Sequence, residues 1–167
     1  LRIAALGGDA ELFDVYCKHF ERDPVPSERG RLLDAIGSFQ SPELRARAFA
    51  YNLSGPLKPQ EHSGLLGSLA GRPEHQDEVW NWVATHYDEI VKRIPALYAI
   101  YLPWFASGCD LTRLEAARVF FADPAHLPAG TEAELLKMAA SVTECASLRE
   151  REGAALRSFL REGLTPP

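Results

Sequence analysis

Helix starts and stops recur at short intervals along this sequence, and they limit the folds that it can adopt more than any other feature. Ser41-Pro42-Glu43 and Pro73-Glu74 place a proline and a carboxylate together, and both residue types are favoured in the first turn of a helix. Gly37, Gly55 and Gly71 each follow apolar residues at helical spacing, and we predict a left-handed stop at Gly37. No segment of five or more residues alternates apolar and polar side chains. The pattern predicts an all-α domain.

Apolar residues spaced by three and four mark the buried faces of the predicted helices. Leu12, Phe13, Tyr16 and Phe20 form such a face after Asp9, which is placed to cap the helix N-terminus. Further helices are predicted over residues 27–36, 41–53, 59–71, 74–90 and 110–121, with shorter ones divided by Pro95 and Pro103. Leu164 to Pro167 are expected to fray.

The last predicted helix is the longest, and its start carries a capping pattern. Thr131 and Glu134 fit the T-x-x-E capping box, in which each side chain accepts a hydrogen bond from the backbone N–H of the other residue. Ser41 and Asp110 are predicted to cap earlier helices through their side-chain oxygens. The apolar stripe of the last helix consists of Leu135, Met138, Val142, Cys145, Leu156 and Phe159, interrupted by Arg149 and Glu152.

A weak internal repeat favours a particular arrangement of these helices. Ala5-Leu6-Gly7 and Glu11-Leu12 recur as Ala35-Ile36-Gly37 and Glu43-Leu44, and Leu32, Leu33 and Ile36 recur as Leu65, Leu66 and Leu69, at offsets of 30 to 33 residues. An offset of this length fits one helix pair of a solenoid, in which each unit buries its apolar face against its neighbours. The register is lost in the second half, so we predict a short and irregular α-solenoid.

Composition and charge limit the partners of the chain. With 167 residues and 46% hydrophobic content, residues 1–167 fit a single domain with one core. The 18 basic and 23 acidic residues give a net charge of −5 without a basic block, so we predict that nucleic acid is not a partner. The longest apolar run, from Ile94 to Ala106, is broken by two prolines and is too short to span a bilayer.

The three cysteines lead to a prediction about redox state and compartment. Cys17, Cys109 and Cys145 are odd in number, far apart and form no C-x-x-C pair. We interpret them as reduced, mostly buried thiols that fill space in the core instead of acting as nucleophiles. Because reduced thiols are typical of a reducing compartment, we expect a cytoplasmic location.

Residue patterns that carry catalysis or bind metal are missing from the sequence. The histidines give no H-E-x-x-H pair and stand at positions His19, His62, His75, His86 and His126. We interpret them as surface or hydrogen-bonded residues, because a zinc site needs several ligands brought together. The sequence also lacks a G-x-S-x-G elbow and a phosphate-binding P-loop. We therefore predict no catalytic, cofactor-binding or metal-ligating residue in this chain.

An aromatic-rich centre is the candidate binding surface. It consists of Trp80, Trp82, Tyr98, Tyr101, Trp104 and Phe105. Aromatic side chains are favoured on surfaces that bind ligands or peptides, but they also fill the core between stacked helices. We favour core packing for Trp80. The role of Trp82 stays open, because a helix turns by about 100° per residue and places Trp82 on a different face from Trp80.

The order and spacing of several motifs resemble one known family. The motifs are Arg31-Leu-Leu-Asp-Ala-Ile-Gly37, Ser41-Pro-Glu-Leu44, Tyr51-Asn-Leu-Ser-Gly55, Pro59-Gln60, Val79-Trp-Asn-Trp82, His86-Tyr-Asp-Glu-Ile90, Phe105-Ala-Ser-Gly-Cys109, Val119-Phe-Phe121 and Thr143-Glu-Cys-Ala-Ser-Leu-Arg-Glu-Arg151. Together they resemble the C-terminal helical domain of the alanyl aminopeptidase, or aminopeptidase N, family of zinc exopeptidases. The resemblance covers almost the whole chain.

The resemblance implies an irregular array of antiparallel helix pairs, similar to HEAT or armadillo repeats. In this family the array encloses a chamber that restricts substrates to peptides, and the zinc ligands and the catalytic glutamate lie in a preceding domain. The resemblance thus implies a C-terminal fragment of a larger multidomain chain, and a start at Leu1 instead of Met fits this expectation. Its implied partners are the catalytic domain and the peptide substrates of the parent protein, with zinc in the parent only.

A second function stays open beside this one. A free-standing helical-repeat adaptor would bind a protein partner along its concave face and would need no catalytic domain. The sequence immediately upstream distinguishes the two functions, because the peptidase requires H-E-x-x-H in the same reading frame. For a domain separated from its parent we also expect an exposed apolar patch, and self-association through that patch.

Overall fold

The computed structural model describes residues 1–163, with side chains through Arg161. All regular structure in this range is helical, and it contains no strand. The predicted all-α class is therefore confirmed. The predicted fraying of Leu164 to Pro167 lies outside the described residues.

The helices follow one another with short connections. The α-helices are α1 Arg2–Leu6, α2 Ala10–Arg22, α3 Pro26–Ile36, α4 Pro42–Ser54, α5 Pro59–Leu69, α6 Gln76–Thr85, α7 Tyr87–Val91, α8 Ala96–Ala99, α9 Leu111–Phe121 and α10 Thr131–Gly163. Short 3₁₀-helices span Pro73–His75, Leu102–Ala106 and Pro124–His126. The helix predicted over residues 74–90 is divided at His86, whose φ of −107° and ψ of 19° depart from α-helical values.

Acidic residues cap two helices as the sequence predicts. A side-chain oxygen of Asp9 accepts a hydrogen bond from Leu12 N–H at 3.0 Å. Asp110 accepts hydrogen bonds from the N–H groups of Thr112 and Arg113 at 2.7 and 3.1 Å. The prediction for Ser41 is wrong in its mechanism. Although α4 begins at Pro42, the Ser41 hydroxyl donates to the Glu43 carboxylate and accepts no hydrogen bond from a backbone N–H, because the side chain is turned toward Glu43.

The capping box predicted for Thr131 and Glu134 is also wrong. The Glu134 carboxylate accepts hydrogen bonds from Trp104 Nε1 at 2.9 Å and from Lys137 Nζ at 2.7 Å. Thr131 N–H donates to the Pro128 carbonyl instead, and the buried Thr131 hydroxyl makes no hydrogen bond within residues 1–163. The reason is tertiary, since the indole N–H that packs against α10 attracts the carboxylate away from the helix start.

Gly37 ends α3 as predicted, but for a different physical reason. Its φ of −77° is right-handed, so the predicted left-handed stop is wrong. A Cβ at Gly37 would lie 2.6 Å from the Cβ of Ser68 and 3.0 Å from the backbone nitrogen of Leu69. Glycine is therefore needed for the close approach of α3 and α5. Positive φ angles occur among the described residues at Gly108 and Gly130, which the sequence did not single out.

The helices pack around a common core. Contacts join α1 with α3, α3 with α5, and α10 with the 3₁₀-helix Leu102–Ala106. Arg47 of α4 pairs with Asp14 of α2, and Phe49 of α4 stacks on Trp82 of α6. The consecutive helices α2 and α3, and α4 and α5, are also in contact. The largest fully buried side chains include Phe20, Ile36, Phe39, Leu65, Leu66, Leu69, Leu102, Phe121 and Met138.

Side-chain hydrogen bonds link helices that are distant in the sequence. Hydrogen-bonded pairs join residues separated by 30 to 37 positions; they include Glu21 with Tyr51, Arg29 with Glu61, Asp34 with Ser68, Arg45 with Glu78, Gln76 with Arg113 and Trp104 with Glu134. Each of these pairs joins one helix to another further along the chain. The sequence repeat and the α-solenoid stay predictions.

The cysteine prediction is wrong for two of the three residues. Cys109 and Cys145 form a disulfide, with their Cα atoms 4.9 Å apart, and both are only half-buried. The bond joins the segment before α9 to α10. The two cysteines are 36 residues apart in the sequence, so the sequence pattern did not indicate that they meet. Cys17 is a free, buried thiol, and burial, followed by the nearby Glu21, raises its pKa to about 12. Because two of the three cysteines are not reduced thiols, they no longer support a reducing compartment. The cytoplasmic location stays a prediction.

The apolar stripe of α10 is buried over only part of its length. Met138 and Val142 are fully buried, as the stripe predicts. Further along, Leu156 and Phe159 are 57% and 72% exposed, so the second half of the helix extends beyond the core. An ideal helix of 33 residues is about 50 Å long, and only its first part carries fully buried side chains.

Arg29 is a buried junction between α2, α3 and α5. Its guanidinium donates to both carboxylate oxygens of Glu61, at 2.7 and 2.8 Å, and to the Phe20 carbonyl at 2.6 Å. Burial alone raises the pKa of Glu61, but hydrogen bonds from Arg29 and from Lys58 N–H outweigh it and lower the pKa below its ordinary value. A carboxyl group of this kind stabilises the fold above its ordinary pKa and loses that contribution as the pH falls.

Gly37→Ala is expected to lower the free energy of unfolding by about 1–3 kcal/mol, because the added Cβ must displace α5. Gly30→Ala in the same helix is the matched control, since a Cβ there meets nothing within 4 Å. Alanine is the better helix former, so the control should be neutral or more stable by up to about 1 kcal/mol. Urea unfolding followed by circular dichroism measures both, and equal stabilities would contradict the close approach of α3 and α5.

Glu61→Gln is expected to lower the free energy of unfolding at neutral pH by about 3 kcal/mol, because Arg29 loses its buried counter-charge. The difference in free energy of unfolding between the wild type and Glu61→Gln should disappear as the pH falls below about 4.3, the ordinary pKa of a glutamate. Glu28→Gln is the control, because the Glu28–Arg31 pair is exposed and contributes less than about 1 kcal/mol. If the difference between the two variants stays constant from pH 7 to pH 3, the Arg29–Glu61 pair does not stabilise the fold as proposed.

Candidate functional site

Within residues 1–163, no three side chains of the metal-binding types His, Cys, Asp and Glu lie close enough together to hold an ion. Three of the five histidines instead bond to neighbouring groups of the fold. Nδ1 of His62 lies 3.2 Å from Asn52 Oδ1 in the core, where burial lowers the pKa of His62. Nδ1 of His86 and of His126 lies 2.9 and 3.1 Å from backbone carbonyls.

No helix within residues 1–163 combines the length and the apolar composition that a membrane span requires.

The predicted aromatic centre is divided between the core and two surface grooves. Trp80 is 3% exposed and packs edge-on against Phe120 at 5.8 Å, so the core interpretation is confirmed. Trp82 is half-buried and lies in one groove. Trp104, which is 36% exposed, lies in the other.

The first groove lies between α5, the 3₁₀-helix Leu102–Ala106 and the start of α10, and we call it the α5 groove. Its volume is about 610 Å³, and it is lined by Ser63, Gly67, Ala70, Gln76, Tyr101, Trp104, Phe105, Ser107 and Glu134. Small side chains of α5 form one wall, and the aromatic side chains form the other. The groove therefore offers ring faces to a ligand across a shallow floor.

Hydrogen bonds hold the aromatic wall of the α5 groove in place. The Trp104 indole donates to Glu134, which also accepts from Lys137. These hydrogen bonds, first from Lys137 and then from Trp104, lower the pKa of Glu134, so the carboxylate stays ionised at neutral pH. Neither Tyr101 nor Trp104 stacks on another described aromatic ring. Tyr101 is 48% exposed and Trp104 is 36% exposed.

The second groove lies between α4 on one side and α6 with α7 on the other, and we call it the α4–α6 groove. Its volume is about 760 Å³, and it is lined by Ala46, Phe49, Ala50, Leu53, Glu78, Asn81, Trp82, Thr85, His86 and Glu89. Trp82 stacks on Phe49 at 5.0 Å and on His86 at 4.6 Å. Among the described residues that line the two grooves, no nucleophile is paired with a base.

The sequence identified the aromatic half of the α5 groove and missed the other half. Tyr101, Trp104 and Phe105 were predicted together, and the structure brings them together. The wall of small residues on α5 was not predicted, because the sequence pattern identified only the buried leucines of that helix. Glycine within a predicted helix is the sequence signal that could have indicated this wall. A Cβ at Gly64 or Gly67 would meet nothing within 4 Å, so packing within the fold does not require these glycines.

Comparison with known proteins gives the family. The profile of the ERAP1-like C-terminal domain matches residues 1–143. Aminopeptidase 2, mitochondrial, of Saccharomyces cerevisiae is 24% identical over 165 residues, which are 96% of this chain and 17% of that protein. Alanine/arginine aminopeptidase of the same yeast is 24% identical over 168 residues, which cover 96% of this chain and 19% of that protein. Probable aminopeptidase 1 of Saccharolobus solfataricus is 24% identical over 92 residues, which cover 55% of this chain and 12% of that protein.

The chain thus spans less than a fifth of the length of these relatives. The profile match covers most of the chain, and the relatives carry aminopeptidase names, in agreement with the resemblance drawn from the motifs. This protein therefore belongs to the family of ERAP1-like C-terminal domains of aminopeptidases.

Proposed function

We propose that this chain is the C-terminal helical domain of a zinc aminopeptidase, where it encloses the substrate chamber and controls the access of peptides. The observation that carries the proposal is the family match over residues 1–143, together with relatives that are aminopeptidases about five times as long. The catalytic domain of the same parent chain is the proposed partner, and the location of the parent in the cytoplasm is part of the proposal.

We also propose that the domain is an irregular solenoid of antiparallel helix pairs, similar to HEAT or armadillo repeats. Two observations support this architecture. The alternate helices α1, α3 and α5 contact one another in order, and hydrogen-bonded side chains recur at separations of 30 to 37 residues. A solenoid bends into a curved wall when successive units rotate slightly against each other, and such a wall is suited to closing a chamber.

Cleavage of the peptide bond is assigned to the catalytic domain and not to this chain. The residues described here do not fit a zinc site, because no suitable cluster of ligands occurs among them. Zinc is therefore proposed for the parent alone. The role of this chain is binding, and its α5 groove supplies an aromatic wall and small residues along which a peptide can lie.

The adaptor function is the second candidate, and the exposed α4–α6 groove favours it. The reading frame upstream of Leu1 separates the two candidates. A segment with H-E-x-x-H followed by a further glutamate supports the aminopeptidase, and a frame without it supports the adaptor.

The purified chain is expected to bind zinc in less than stoichiometric amount and to release no amino acid from peptides. Metal content by atomic emission and hydrolysis of aminoacyl anilides measure the two properties. One tightly bound zinc per chain would contradict the assignment of the metal to the catalytic domain.

Trp104→Ala in the parent enzyme is expected to reduce kcat/KM for a peptide of about ten residues by roughly tenfold, because an aromatic contact of about 1.5 kcal/mol is lost. The kcat/KM for an aminoacyl anilide should change less than about twofold, since so short a substrate does not reach the α5 groove. Phe159→Ala is the control, because Phe159 is 72% exposed and outside both grooves. Equal losses on long and short substrates would contradict a role for the groove in peptide binding.

A further inference from the structure

We infer that the α4–α6 groove is a docking site for a cationic amphipathic helix of a protein partner. The inference does not depend on aminopeptidase activity, and it concerns a surface apart from the α5 groove. It starts from the shape and the charge of the groove.

The α4 side of the groove is an apolar helix face without large exposed side chains. It consists of Ala46, Phe49, Ala50 and Leu53, spaced by three, one and three residues. Ala46 and Ala50 are exposed, Leu53 is half-buried and Phe49 is buried. This spacing is the one by which a helix packs against another helix, yet within residues 1–163 no helix covers the two alanines.

Aromatic stacking makes the opposite side rigid. Trp82 is held between its contacts with Phe49 and His86, and the His86 ring is held in turn by a hydrogen bond from Nδ1 to the Trp82 carbonyl. The Thr85 hydroxyl donates to the Asn81 carbonyl. A site whose side chains are fixed before binding loses little conformational entropy when the partner arrives.

The charge of the groove determines the chemistry of its partner. Its charged lining residues are Glu78 and Glu89, and no lysine or arginine lines it. Arg45 lies beside the groove and binds one oxygen of Glu78 at 2.8 Å. Glu89 is exposed, and its carboxylate has no ion-pair partner among the described residues. A lysine or arginine placed next to apolar residues is therefore complementary to the groove, whereas an acidic segment is repelled.

A helix fits this space better than an extended segment does. The groove is bounded by two helices, and its lining on the α6–α7 side runs from Glu78 to Glu89, which is about three helical turns. A partner helix can present apolar residues at positions i, i+3, i+4 and i+7 to Ala46, Ala50 and Trp82. Its cationic residue then lies at the end of the groove, against Glu89.

A synthetic peptide of about four helical turns tests the inference. The probe carries leucines at i, i+3, i+4 and i+7 and one arginine at each end of this face, and a second peptide has glutamates in place of the arginines. Calorimetry gives the affinity of the 167-residue chain for each peptide, and the indole N–H resonance of Trp82, assigned with Trp82→Phe, locates the binding. We expect the arginine peptide to bind and to shift this resonance, and the glutamate peptide not to bind.

Two variants with matched controls locate the contacts. Glu89→Lys should raise the Kd of the arginine peptide at least about tenfold, while Asp88→Lys, a change of the same charge at the neighbouring exposed carboxylate, should raise it less than about threefold. Ala50→Gln should also weaken binding of the arginine peptide, because it places a larger side chain on the α4 side of the groove. Ala116→Gln on the exposed face of α9 should not weaken it. Circular dichroism confirms that each variant is folded.

Three outcomes would overturn the inference. They are failure of the arginine peptide to bind the wild type, equal effects of Glu89→Lys and Asp88→Lys, and binding of the glutamate peptide with similar affinity. None of them bears on the aminopeptidase proposal, which is tested by the upstream reading frame and by the Trp104 substitution.

Discussion

Burial of the apolar helix faces against one another is the interaction on which the rest of this fold depends. Leu33 and Ile36 of α3 are 2% and 0% exposed, and α3 contacts both α2 and α5. A single helix of this length cannot bury its apolar face alone, so its stability comes from the helices packed against it. Both grooves follow from this packing, since each is a gap between elements that the core holds side by side.

Two buried arginines secure the junctions of the packing. Arg29 joins α2, α3 and α5 through Glu61 and the Phe20 carbonyl. Arg113 joins α9 to α6 through Gln76 and Asp77, and it also donates to the carbonyls of Ala106 and Ser107. Arginine suits such positions because its guanidinium carries five donors in a fixed plane. A Cβ at Gly108, whose φ is 121°, would lie 2.6 Å from the Arg113 guanidinium, so glycine makes room for this junction.

The two grooves proposed for binding are separate surfaces of the domain. The α5 groove is lined by residues of α5, the 3₁₀-helix Leu102–Ala106 and α10, and the α4–α6 groove by residues of α4, α6 and α7. Their chemistry also differs. Glu134 is paired with Lys137 beside the first groove, while Glu89 leaves the second groove negatively charged. A peptide wall and a docking site for a cationic helix can therefore coexist on one domain without competing for the same residues.

The sequence by itself determined the all-α class, most of the longer helices with starts at residues such as Pro42, Pro59 and Leu111, and the family, because these depend on local hydrogen bonds, on the fixed φ of proline and on the order of motifs along the chain. It also named the aromatic side of the α5 groove. Only the tertiary structure decided the close approach at Gly37, the pairing of Glu134 with Trp104 and the Cys109–Cys145 bond. Each of these joins residues about 30 or more positions apart, and a local pattern cannot show which distant groups meet.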